Sequence, residues 1–117
     1  MAANPDSLDS TCSTRRTLDD DTSTAELLDL FGDEYTRRIF EAVAERPRTG
    51  RAVAEAAAVS RPTAYRRLNA LRDAGLVVSE MTISESGHHR ERFETAVDGL
   101  SLTVSTGTIE VTVHPSD

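Results

Sequence analysis

The chain has 117 residues, 38% of them hydrophobic and none a tryptophan, and it carries a formal charge of −7. That length holds one domain with a modest core, and its single cysteine, Cys12, excludes an intrachain disulfide and a cysteine-rich metal site. No run approaches the ~20 apolar residues of a membrane span, and the N-terminus lacks a charged-then-apolar leader pattern, so a cytoplasmic protein without membrane contact is expected.

The charge is unevenly spread. Residues 1–34 hold nine acids against Arg15 and Arg16, whereas residues 35–117 balance eleven acids with eleven arginines. Between Arg46 and Arg72, seven arginines face the single acid Glu55, a local charge of +6. For a polyanionic partner the field at the contact face counts for more than the total. All thirteen basic residues are arginine. Absence of lysine with abundant Asp and Glu resembles the proteins of salt-loving archaea; high-GC coding is the competing explanation.

Residues 1–23 are rich in Asp, Ser and Thr without apolar periodicity, which predicts a disordered acidic tail. Thr24 can cap a short helix, Ala25 to Leu30, interrupted by Gly32. Asp33 is an N-cap for a second helix, Glu34 to about Arg46, with Ile39, Phe40 and Val43 as its buried stripe and Pro47 as its stop. Thr49 caps a third helix, Gly50 to about Ala57, with Val53, Ala54 and Ala57 inward. After a tight turn at Ala58–Val59, Ser60 caps a fourth helix, Arg61 to Ala74. Pro62 is tolerated in its first turn, and Gly75 suits a left-handed C-terminal cap.

On the fourth helix Ala64, Leu68 and Leu71 fall at i, i+4 and i+7, a single apolar face. From Leu76 the period becomes two. Val77, Met81 and Ile83 alternate with Val78, Glu80 and Thr82, Ser86-Gly87 turns the chain, and His89 to Thr95 returns. Asp98-Gly99 marks a further turn. Leu100, Leu102 and Val104, then Ile109, Val111 and Val113 around Thr106-Gly107, form a second hairpin whose apolar face must cover something, because such a hairpin is not stable alone.

Two short helices, a tight turn, a capped second helix and a following hairpin predict an α+β winged helix-turn-helix. It would have three to four helices, a β-hairpin wing and an extra C-terminal β-hairpin. The divisions expected are an acidic tail at 1–23, a DNA-binding domain at 24–97, and a hairpin at 98–117 that packs on the domain or at a dimer interface. The recognition helix, 61–74, would enter the major groove of double-stranded DNA, and the wing, 84–92, would meet the minor groove or backbone.

The 100° step turns Pro62, Thr63, Tyr65, Arg66 and Asn69 outward. Arg66 is the leading candidate for bidentate guanine readout, and Asn69 for adenine. Thr63 suits a base edge or a phosphate. Ser60, with its capped amides, suits a phosphate. Tyr65, Arg61, Arg67 and Arg48 suit phosphates that set the register. At the wing tip His88, His89 and Arg90 supply hydrogen-bonding and basic groups. Adjacent strand residues point to opposite faces, so His88 and His89 make a poor metal pair, and neither metal nor cofactor is expected. No phosphate-cradling Gly loop, HExxH or Ser/His/Asp set is present, so no enzyme is expected.

Three runs carry a family resemblance: Phe31-Gly32-Asp33-Glu34-Tyr35-Thr36-Arg37-Arg38-Ile39, then Val59-Ser60-Arg61-Pro62-Thr63-Ala64-Tyr65-Arg66-Arg67-Leu68, then Ala74-Gly75-Leu76-Val77. From Leu27 to Phe93 the chain resembles the small ArsR-like winged helix regulators of halophilic archaea. The resemblance implies a homodimer on a roughly palindromic operator, acting as repressor or autoregulator. The cysteine-rich metal motif of the metal-sensing members is missing here. The C-terminal hairpin also stands where many relatives have a dimerising helix. Two other functions remain open on sequence: a protein-interaction winged helix, and a small sensor with its ligand at a dimer interface.

Overall fold

A computed structural model describes residues 24–116; the expectations for the acidic tail, Cys12, Arg15 and Arg16 lie outside the described residues. The chain divides into two compact units, residues 29–96 and residues 97–116 with the start of the first helix. No described helix is long and apolar enough to cross a membrane.

Helix α1 spans Thr24–Gly32, two residues beyond the expected stop at Leu30. Asp33 then takes an extended conformation and starts α2, Glu34–Glu45. Its carboxylate accepts from the Thr36 amide at 2.9 Å and from the Thr36 hydroxyl at 3.1 Å, satisfying a donor the helix itself leaves unpaired. Ile39, Ala42 and Val43 are buried with Thr36. Phe40, expected in that stripe, is half-buried and meets Phe31 edge-on, ring centroids 5.4 Å apart.

Arg48–Thr49 forms a two-residue strand, β1, which sequence periodicity cannot reveal because two residues make no alternation. Helix α3, Gly50–Ala57, is capped by Thr49, whose hydroxyl accepts from the Ala52 amide at 3.2 Å. Ala58 closes it in the left-handed region, φ 60°, with the Val59 amide bonded back to Ala54 at 3.0 Å. Helix α4 spans Arg61–Asp73 behind its Ser60 cap, and Ala64, Leu68 and Leu71 are fully buried as their spacing predicts. At its end Gly75 is left-handed, φ 83°, and the Leu76 amide reaches the Leu71 carbonyl at 3.0 Å. That pair of features is a Schellman stop.

Strands β2, Val77–Ile83, and β3, His89–Thr95, form the wing, antiparallel with Val77 opposite Thr95 and Ile83 opposite His89. β1 adds to the other edge of β3, Arg48 opposite Phe93, so the sheet order is β1-β3-β2. Phe93 is fully buried among Ile39, Val43, Val53, Leu68, Leu71 and Leu76, the large side chains of this core. The fold of this unit is a winged helix-turn-helix: α2, α3 and α4 pack on one another, and the wing springs directly from the end of α4.

In the other unit, β4, Val97–Ser105, pairs with β5, Thr108–Pro115, around a left-handed Gly107, φ 88°. Asp98-Gly99, read from sequence as a turn, is instead an irregularity inside β4: the register shifts between Val97 and Gly99 and the strand continues. Only Ala96 separates β3 from β4, which leaves no room for a turn there. Leu27, Val97, Val111 and Val113 are the buried apolar residues of this unit.

Candidate nucleic-acid interface

The outward face of α4 is set by what its inward face must bury. With Ala64, Leu68 and Leu71 in the core, Arg61, Pro62, Tyr65, Arg66 and Asn69 are exposed and Thr63 and Arg67 are half-buried. The Ser60 hydroxyl accepts from the Thr63 amide at 3.2 Å and donates to the Thr63 hydroxyl at 3.0 Å. The Ala64 amide bonds the Ser60 carbonyl at 2.9 Å and Pro62 has no amide proton, so in the first turn the Arg61 amide is left, with the helix dipole, to favour an anion. No carboxylate or carbonyl of the described residues holds the guanidinium of Arg61 or Arg66.

Other residues expected on this face are tied down. Arg67 Nε lies 3.2 Å from an Asp33 oxygen, near enough to pair charges but not aligned as a hydrogen bond, and that nitrogen is buried. Its Nη2 reaches the second Asp33 oxygen at 3.5 Å. Asp33 thus caps α2 and grips α4 at once. The Thr36 amide and hydroxyl, with the Arg67 charge, hold its carboxyl below the ordinary value. Arg48 donates from Nε to the Ala42 carbonyl at 2.8 Å and pairs with Glu45, leaving its side chain only 12% exposed. Tyr65 lies edge-on to Phe93, centroids 6.2 Å apart. A Cβ on Gly50 would overlap the outer end of the Tyr65 ring, so a side chain at residue 50 would require that ring to shift from its place.

A polar clasp, not anticipated from the sequence, joins α4 to the wing. Arg72 Nη1 donates to Glu91 at 2.8 Å and to the Ser79 hydroxyl at 3.1 Å, and that hydroxyl donates to Glu91 at 2.8 Å. Arg72 Nη2 donates to Asn69 Oδ1 at 2.8 Å. An acceptor of Asn69 is therefore engaged and its amide nitrogen is the group left to face outward, which departs from the two-point adenine contact expected of it. The signal in sequence was weak: Arg72, Ser79 and Glu91 are each unremarkable until β2 and β3 pair.

At the wing tip the Ser84 amide donates to the His88 carbonyl at 2.8 Å, with Gly87 left-handed at φ 87°. The His88 ring meets the Ser86 hydroxyl at 3.0 Å, and His88, His89 and Arg90 are all exposed. Strand alternation separates the last two. His89 shares a face with Glu91, Ile83 and Met81, and Arg90 lies opposite with Arg92, which pairs with Glu80 at 2.6 Å. Met81 and Ile83 are 66% and 67% exposed, because the wing runs past the helices that bury Val77. Among the described residues no three His, Cys, Asp or Glu side chains gather as a metal site.

This geometry is that of the winged helix-turn-helix class. A family described as "Helix-turn-helix domain" matches residues 31–80. A search of curated proteins finds no match to the chain. Among solved structures it is similar to the homodimeric winged helix-turn-helix DNA-binding domain of a possible ArsR-family transcriptional regulator from Mycobacterium bovis. The TM-score is 0.51 at 20% identity, covering 85% of this chain and 77% of that one.

Proposed function

We propose that residues 29–96 form a DNA-binding domain that places α4 in the major groove of double-stranded DNA and controls transcription without catalysis. The observation that carries this reading is the pair Arg61 and Arg66, exposed and without an acidic partner among the described residues, beside the capped start of α4. Two cationic forks at the leading end of a groove-sized helix suit guanine edges and phosphates. Arg66 reads a base. Arg61, Ser60 and Thr63 hold phosphates. His88, His89 and Arg90 reach the flanking backbone or minor groove. Arg48, Arg67 and Tyr65 serve the same contact indirectly, by fixing α3, α4 and the strand between them in place.

The active form is a homodimer, as the mycobacterial domain is described to be, on an operator of matching twofold symmetry. Its role is repression or autoregulation of the ArsR-like kind, and its lysine-free, acid-rich composition suits a salt-rich archaeal cytoplasm. A mobility-shift titration against the chain's own upstream region tests the reading. Sequence-specific retardation supports it; equal affinity for random duplex removes the specificity, and no retardation at all overturns the proposal.

A further inference from the structure

The C-terminal hairpin carries an aliphatic face that is exposed toward its turn. Register puts Leu100 opposite Val113, Leu102 opposite Val111 and Val104 opposite Ile109, so all six side chains share one face. Burial is confined to the end away from the turn, at Val111 and Val113. Toward the turn Leu102, Val104 and Ile109 are 53%, 66% and 46% exposed. The opposite face is polar, with Ser101, Thr103, Glu110 and Thr112, and Ser101 meets the His114 ring at 2.7 Å.

We propose that this face is the homodimer interface: two hairpins pack face to face across a twofold axis, each laying Leu102, Val104 and Ile109 on their counterparts. Three observations select a second copy as the occupant. A two-stranded sheet is marginal alone and gains stability when its apolar face is covered. The face presents no charged side chain, so laying it against its own copy brings no like charges together and buries none unpaired. Residues 1–23, the other segment of this chain long enough to cover it, hold five aspartates and few apolar side chains and are poorly suited to an aliphatic surface. An isologous contact also needs no complementary partner sequence, only a self-matching strip, and a Leu/Val/Ile strip matches itself.

The inference rests on the homodimeric reading above and names its interface. Size-exclusion chromatography with light scattering, run on the full chain across a dilution series without DNA, separates the two. The expected result is a dimer for the wild type, monomers for Leu102→Glu and Val104→Glu, and an unchanged dimer for Met81→Glu, an equally exposed site on the wing. Ile109→Thr, which keeps strand propensity, weakens association at least about tenfold, the scale of one buried aliphatic side chain. Retained melting transitions show that the monomers are folded. A wild type that is monomeric throughout overturns the homodimer and the interface together. A wild-type dimer that survives all three hairpin substitutions overturns the interface alone. Loss of DNA retardation with dimerisation intact counts against the DNA reading and leaves the hairpin assignment standing.

Discussion

At the scale of single residues, charge on α4 matters less than what each charge already holds. Arg66 lacks an intramolecular acceptor among the described residues, whereas Arg67, its neighbour in sequence, is bound to Asp33. Arg66→Ala is expected to weaken specific binding by about 1–3 kcal/mol, roughly five- to 150-fold, and to relax preference at one base pair. Arg67→Ala should instead lower the melting temperature, because it strips the charge partner from Asp33. Titration calorimetry beside thermal melts distinguishes the two effects. Asp33 itself sets an acid limit. Its carboxyl is held below the ordinary value, so its contribution is present above the unfolded carboxylate pKa of about 4 and is lost as pH falls through the lower, folded value. Melting curves of wild type and Asp33→Asn should therefore differ near neutral pH and converge below about pH 4; a constant gap across that range would contradict the assignment.

At the scale of elements, caps and apolar spacing were the legible part. Asp33, Thr49 and Ser60 each start a helix within a residue of where their side-chain chemistry places it, and Gly75 ends α4. What escaped notice depends on contacts distant in sequence. β1 exists only as a partner of β3, the Arg72 clasp only once β2 and β3 are in register, and the constraint on Gly50 only when Tyr65 lies over it. Of the outward set on α4, Pro62, Tyr65, Arg66 and Asn69 are exposed and Thr63 is half-buried, and exposure alone did not tell Arg66 from residues engaged elsewhere. Ala58 was placed in a turn, but its left-handed backbone left no trace in the residue type. A side chain there costs roughly 1–2 kcal/mol, against roughly 0.5–1 kcal/mol for the added freedom of glycine in the unfolded chain. Ala58→Gly should accordingly be neutral to stabilising by roughly 0.5–1 kcal/mol in denaturant unfolding, while a β-branched residue such as Val is clearly destabilising.

At the scale of the molecule, the acidic total and the basic middle act over different distances. Nine of the twenty acids lie in residues 1–34, and the +6 segment from Arg46 to Arg72 includes the start of α4. The free energy of phosphate contact comes largely from released counterions, so it falls with the logarithm of salt. A dimer that neutralises about eight phosphates gives a log-log slope on the order of −7, and Arg90→Ala in both subunits should flatten it by about two units without changing base preference. A mutant slope equal to that of the wild type would remove Arg90 from the phosphate contacts. Near molar salt little of this attraction survives, and binding must then rest on base edges and on the geometry of the assembly.

The central strand has a consequence for how the winged unit opens. Around Phe93, β3 is paired on both sides, with Arg48 across one edge and Ser79 across the other. Its ring lies in the core, in contact with Tyr65. Every other strand in that sheet can peel from an edge, and the wing tip can fray at its exposed turn. Residues 92 and 93 can be released only when both pairings and the core give way together. Amide protection should therefore rise along β3 from His89 toward Phe93, and the turn end of the wing can breathe while its root stays closed.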